Sequence, residues 1–210
     1  MQSSKAYEYL IKQLNATGPE KRDGYNPRVL EEIYDWERNE AEDLIWNAFY
    51  RERDTDILVL FPKLKKYNGI KALKKIVNDY EIPSETNILI SYLLYQNTRI
   101  NNKYLKLIEM NIVKSNYNYS YIASISDLKP SKKVYKMLIR IYERCTEKIA
   151  LSATIDAILF NKGFIKDIFD INQVQKSEFR ELRMIFKQAP LDERKTMITK
   201  LENGEFDQYK

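Results

Sequence analysis

Residues 39–50 read NEAEDLIWNAFY, and their spacing decides the fold class. Ala41, Leu44, Ile45, Ala48 and Phe49 recur at intervals of three and four, which aligns them along one stripe of an α-helix. Asn39 and Glu42 stand in the register of a capping box, a short polar cap with an acid three residues on. The same period extends in both directions. Tyr7, Leu10, Ile11 and Leu14 follow a cap at Ser3 or Ser4, and Val29, Leu30, Ile33 and Trp36 follow Asn26-Pro27. Asp54-Thr55-Asp56 restarts a helix with Ile57, Leu58, Phe61 and Leu64 that Pro62 should bend. Beyond the Asn68-Gly69 turn come Ile70, Leu73, Ile76, Val77 and Tyr80.

The second half repeats the pattern. Pro83-Ser84 precedes Ile88, Leu89, Tyr92 and Leu93; Asn101 or Asn102 precedes Tyr104, Leu105, Ile108 and Ile112. A segment from Tyr117 to Ile125 leads to Pro130-Ser131 and the stripe Val134, Leu138, Ile141 and Tyr142. Thr146 is placed to cap a helix with Ile149, Ala150, Ala153, Ala157 and Ile158, which Asn161-Lys162-Gly163 ends. Shorter helices are expected at Phe164, Ile165, Ile168 and Phe169, then at Phe179, Leu182, Ile185 and Phe186. The last carries Met197, Ile198 and Leu201, stops at Asn203-Gly204 and leaves a frayed polar tail. The expectation is an all-α fold of about a dozen short antiparallel helices, near the usual helix length. No linker separates domains, so residues 1–210 read as one helical-repeat domain, with a subdivision near 130 as the place where a break could fall.

Residues 39–80 resemble HEAT-type helical repeats. The resemblance lies in the small-residue helix with Ala41 and Ala48, the tight Asp54-Thr55-Asp56 junction and the bent segment through Phe61-Pro62. It continues in the short Asn68-Gly69 turn and the following Ala72-Leu73 helix. The Asp and Arg pair usual within each such repeat is not evident. The resemblance implies a right-handed α-solenoid of stacked helix pairs and a binding style, and no chemistry.

Composition narrows the function classes. The 210 residues include no histidine and one cysteine, Cys145, which removes most side chains used for proton shuttling, thiolate attack and transition-metal ligation. One cysteine forms no internal disulfide, and the start lacks the form of a secretory signal, so the expected setting is the reducing cytoplasm. No stretch approaches the roughly 18 apolar residues that span a bilayer. The formal charge is +5, but 30 acidic residues nearly balance 35 basic ones. Lys, Asn, Ile and Tyr have A/T-rich codons, so a low-GC bacterium or its phage would accumulate lysine without a partner selecting for it. No phosphate-binding loop, Rossmann glycines, nucleophile elbow or zinc spacing occurs. No catalytic residue, metal site or cofactor is assigned.

The distribution of charge is more informative than its sum. Acids dominate from Arg28 to Asp56 and bases from Arg99 to Arg144. The acidic, aromatic front defines the leading candidate surface: Glu32, Asp35, Glu42, Trp46, Tyr50 and Asp54, docking a protein partner. Trp36 reads as core, and Trp46 stands beside a buried stripe. Paired acids such as Glu31 with Asp35, or Glu42 with Asp43, could hold a hard cation, but no calcium-loop pattern accompanies them and first-turn acids commonly oppose the helix dipole. The alternative is nucleic-acid binding by a basic groove within residues 103–140. Lys132, Lys136 and Arg140 share a helix face there, and Tyr117 and Tyr119 could stack bases if their segment is extended. A solvated helix face carries the same lysine spacing. The sequence therefore reads as a non-enzymatic protein-binding module, such as an immunity or inhibitor protein or a regulatory adaptor.

Overall fold

A computed structural model describes residues 2–79, 83–98 and 102–210; Tyr80 and Asn101, expected at helix ends, lie outside them. Among the described residues there are twelve α-helices and three 3-10 helices, and no strand, so the fold is all-α. The chain divides into two compact units, Met1–Arg99 and Ile100–Lys210.

In the first unit, Ser4 takes extended backbone and its Oγ accepts the Tyr7 amide at 3.1 Å, starting α1 (Lys5–Leu14) and burying Leu10. A 3-10 turn, Gly18–Asp23, leads to α2 (Val29–Glu32), a single turn. The sequence reading carried α2 on to Trp36. Instead Ile33 leaves helical geometry (φ −76°, ψ 141°) while its side chain stays buried, and Trp36 emerges on the surface. Next, α3 (Arg38–Tyr50) begins before the expected Asn39 cap, because the Glu37 carbonyl already accepts the Ala41 amide. Its buried face is Ala41, Glu42, Ile45, Ala48 and Phe49.

The centre of this unit is a 3-10 helix, Asp56–Lys63, where an α-helix was expected. Pro62 has no amide to donate, and Ile57, Leu58, Leu60 and Phe61 are all fully buried. Around it pack α3, α4 (Gly69–Ile76) and α5 (Ser84–Asn97). The approach of α4 is as close as chemistry allows: a Cβ on Gly69 would stand 1.8 Å from the Phe61 carbonyl oxygen. Glycine is required there for contact, and the preceding Asn68 supplies the left-handed residue (φ 48°).

The second unit contains α6 (Asn102–Lys114), α7 (Tyr119–Ala123), α8 (Lys132–Tyr142), α9 (Lys148–Asn161), α10 (Ile171–Val174), α11 (Ser177–Gln188) and α12 (Arg194–Glu202). Packed by α7, α8 and α11, α9 buries Ala150, Leu151, Thr154, Ile155, Ala157, Ile158 and Leu159. Its cap is Glu147 rather than Thr146; the carboxylate accepts the amides of Ile149 and Ala150, and Ile149 faces outward in the first turn. Gly163 (φ 79°) ends it in a Schellman motif, with the Phe164 amide donating to the Leu159 carbonyl at 3.0 Å. That reversal leaves Phe164 and Ile165 buried in a loop, so the short helix expected at 164–169 does not form and Phe169 is exposed. Because α8 packs on both α6 and α9, the Pro130 region lies inside this unit.

Polar ties hold the second unit's ends together. The Arg194 guanidinium is buried and donates to the carbonyls of Tyr142 at 2.7 Å and Cys145 at 2.6 Å, a cation at the end of α8. Tyr142 in turn donates its hydroxyl to the Phe186 carbonyl at 2.8 Å. The tail is not frayed: Phe206 is buried 5.4 Å from the Phe186 ring, and Tyr209 donates to Glu181 at 2.9 Å. Between α9 and α11, Arg183 donates twice to Asp156, at 2.7 and 3.0 Å. Burial pushes the Asp156 carboxyl up to about 6 against the opposing pull of Arg183 and Lys187.

Two outcomes follow from this packing. Gly69→Ala should lower unfolding free energy by about 3 kcal/mol, since backbone must move to admit the methyl; an unchanged urea midpoint would contradict the close approach. A raised carboxyl pKa favours the folded state at low pH. Its contribution is complete below about pH 4 and is lost as pH rises through about 6. Urea titrations at several pH values should therefore show that Asp156→Asn flattens the decline in stability over that window.

Candidate functional site

The structure sorts the acidic front into carboxylates the fold consumes and carboxylates it displays. Glu42, expected at a docking surface, is buried: it accepts Arg38 Nε at 2.8 Å and the Lys66 amide at 2.8 Å. The other guanidinium nitrogens of Arg38 donate to the carbonyls of Leu30 and, at 2.6 Å, Lys63. Glu42 thus ties four segments together and offers nothing to a partner. Asp54 is likewise turned inward, accepting the Tyr25 hydroxyl at 2.6 Å and pairing with Lys21 at 3.1 Å. Burial would raise its carboxyl, but those two donors outweigh it and hold it below the usual aspartate value.

Trp46 is half-buried in an aromatic stack, 4.3 Å and nearly parallel to Tyr67, 4.3 Å from Tyr50 and 5.8 Å from Phe61. Tyr67 donates to Asp43, which also pairs with Lys66 at 2.5 Å; Glu31 pairs with Lys63 at 2.5 Å. Of the paired acids, Glu31, Glu42 and Asp43 are engaged by cations and Asp35 is not, and no group of three or more metal-ligating side chains occurs among the described residues. Of the six expected surface residues, Glu32, Asp35 and Tyr50 are exposed.

What the sequence reading missed lies between α2 and α3. Tyr34 is 54% exposed and Trp36 52% exposed, with ring centroids 6.3 Å apart and Asp35 between them in the chain. This segment is held at both ends. Ile33 is buried in the core, and the buried Glu37 carboxylate accepts the Tyr34 amide at 3.1 Å and the Ser4 amide at 2.8 Å. Burial would raise the Glu37 carboxyl, but these hydrogen bonds hold it below the usual glutamate value. Two large rings and an acid are thereby displayed on a fixed backbone. Trp36 fits an α-helical step from Ile33, and one of the two amides that Glu37 accepts comes from Ser4, 33 positions away, beyond the reach of any helical spacing.

In the second unit, Lys132 and Lys136 are exposed on α8, while Arg140 donates twice to Glu109 of α6, at 2.8 and 2.7 Å. Tyr117 and Tyr119 do not lie on one extended segment. Asn116 (φ 53°) and Tyr117 (φ 59°) form the left-handed end of α6, Tyr117 is half-buried, and Tyr119 is exposed at the start of α7. Cys145 is buried as expected, and burial pushes its thiol up, away from reactivity. No described helix is long and apolar enough to cross a membrane.

No known protein family matches this chain, and neither a curated protein nor a solved structure shows significant similarity to it.

Charge reversal separates the two kinds of acid. Glu42→Lys should cost about 3–5 kcal/mol, because it strands Arg38 and the Lys66 amide. Asp35→Lys should stay within about 0.5 kcal/mol of the parent. Thermal melts of the two variants measure this, and equal melting temperatures would contradict the assignment.

Proposed function

We propose that this chain is a non-enzymatic protein-binding module that presents Tyr34, Asp35 and Trp36, with the exposed Glu32 preceding them, to a basic partner surface. The observation that carries the reading is the pinned loop: two aromatic side chains more than half exposed on backbone fixed by buried Ile33 and Glu37. Trp and Tyr are the residues most enriched among interface hot spots, each worth about 2 kcal/mol or more when central. A loop already ordered spares the entropy that binding otherwise costs. Neighbouring carboxylates select for cations across the interface and speed encounter.

An immunity or inhibitor protein, or a regulatory adaptor, works by such a displayed surface. The HEAT-type resemblance of residues 39–80 supports the same style of action, since those repeats function by surface display. A lone buried thiol suits a reducing, cytoplasmic setting.

The test is affinity capture from native lysate. The parent chain should recover one stoichiometric protein, and Tyr34→Ala combined with Trp36→Ala should lose it while the circular-dichroism melt stays unchanged. Recovery of the same partner by the double variant, or of no stoichiometric partner by the parent, contradicts the proposal.

A further inference from the structure

A second surface, independent of the Tyr34–Trp36 loop, is built by α6 and α8. We infer that it is a groove for an acidic amphipathic helix of a partner protein. Two hollows share Lys106 as a common wall, one of about 160 Å³ and the other of about 430 Å³. Their apolar lining is Leu105 in the first and Met110 with Val113 in the second. Met110 is 52% exposed and Val113 43% exposed, although the opposite face of α6 buries Tyr104, Ile108 and Ile112, with Leu105 nearly enclosed at the edge between the two. Lys106, Met110, Val113 and Lys114 fall at helical spacing, so α6 carries an inner apolar stripe and an outer one edged by lysine.

The charge around this outer stripe is one-sided. Lys106 and Lys133 with Lys136 line the smaller hollow, and Lys114 with Arg144 line the larger. The one carboxylate among the described lining residues, Glu109, is taken by both arms of Arg140. The groove therefore presents five cations that this glutamate does not neutralise, around an aliphatic floor.

That combination chooses the occupant. A single-stranded nucleic acid would satisfy the lysines, but its bases stack on aromatic rings, and the described lining residues include none. Phosphates would leave Met110 and Val113 in water. A helix with leucine-like residues at i, i+3, i+4 and i+7 would cover that floor while its flanking Asp and Glu residues meet the lysines. Methionine is suited to such a seat because its unbranched, polarisable side chain adapts to the incoming shape. From Leu105 to Lys114 the floor runs roughly 14 Å at 1.5 Å per residue, so about two and a half turns of a partner helix match it.

The test uses the full chain and fluorescence anisotropy with three labelled probes at about 100 mM salt. These are a helical peptide with leucines at i, i+3, i+4 and i+7 among glutamates, a scrambled peptide of identical composition, and a single-stranded oligothymidine. The ordered peptide should bind at least tenfold more tightly than the other two. Met110→Asn with Val113→Asn should weaken it tenfold or more, and so should Lys106→Glu with Lys136→Glu. All four positions lie at the surface of the groove, and an unchanged circular-dichroism melt verifies that the fold is intact. Equal binding of the scrambled peptide, tighter binding of the oligonucleotide, indifference to the Met110 and Val113 changes, or no binding of any probe overturns the inference. The Tyr34 and Trp36 capture experiment uses other residues and another readout, so either proposal can fail without the other.

Discussion

A carboxylate removed from water has to be met by donors, and in the first unit that requirement determines what the acidic front can be. Glu42 meets it with Arg38 and a backbone amide, Asp54 with Tyr25 and Lys21, and Glu37 with the amides of Ser4 and Tyr34. Each is a tie between segments distant in sequence, of the kind whose breakage leaves an uncompensated buried charge. The acids left in solvent, Glu32 and Asp35, are free for recognition because their neighbours have taken the structural roles. Glu37 does both at once. By closing the turn between α2 and α3 it stabilises the fold and fixes the aromatic pair outside it.

Helical periodicity was legible wherever one face of a helix meets a core. The stripes from Ala41 to Phe49, apart from half-buried Leu44, from Leu73 to Val77 and from Val134 to Ile141 are buried as their spacing required, whereas of the first stripe only Leu10 is fully enclosed. It failed where burial has more than one side. The segment Ile57 to Phe61 is enclosed by three helices and carries an α-helical period, yet it forms a 3-10 helix with Pro62, which has no amide to donate, inside it. At Phe164 and Ile165 the residues are buried, but a left-handed Gly163 had already turned the chain. Caps were legible at Ser4 and Ser131, whose side chains accept nearby amides. At Glu147 a longer carboxylate displaced the expected threonine.

The binding surfaces were legible only in outline. Acid from Arg28 to Asp56 and base from Arg99 to Arg144 are properties of composition, and both survive as exposed groups: Glu32 and Asp35 in the first unit, Lys132 and Lys136 in the second. Pairing was not readable. Arg140 is committed to Glu109, 31 residues earlier, and Glu42 to a backbone amide 24 residues later. Neither distance follows any helical rule. Trp36 fell outside the outline because its spacing imitates a core position, and only the extended backbone at Ile33 shows that it is not one.

The Tyr34–Trp36 loop is tied to the fold by a buried glutamate that accepts its first amide. Amide hydrogen exchange at Tyr34, resolved by NMR, tests this directly. An amide donating 3.1 Å to the enclosed Glu37 carboxylate should exchange as slowly as the interior amides of α3, although its own side chain stands in solvent. Exchange at the rate of an unstructured peptide would show that the loop is not fixed, and the account of how this chain displays its aromatic pair would fail.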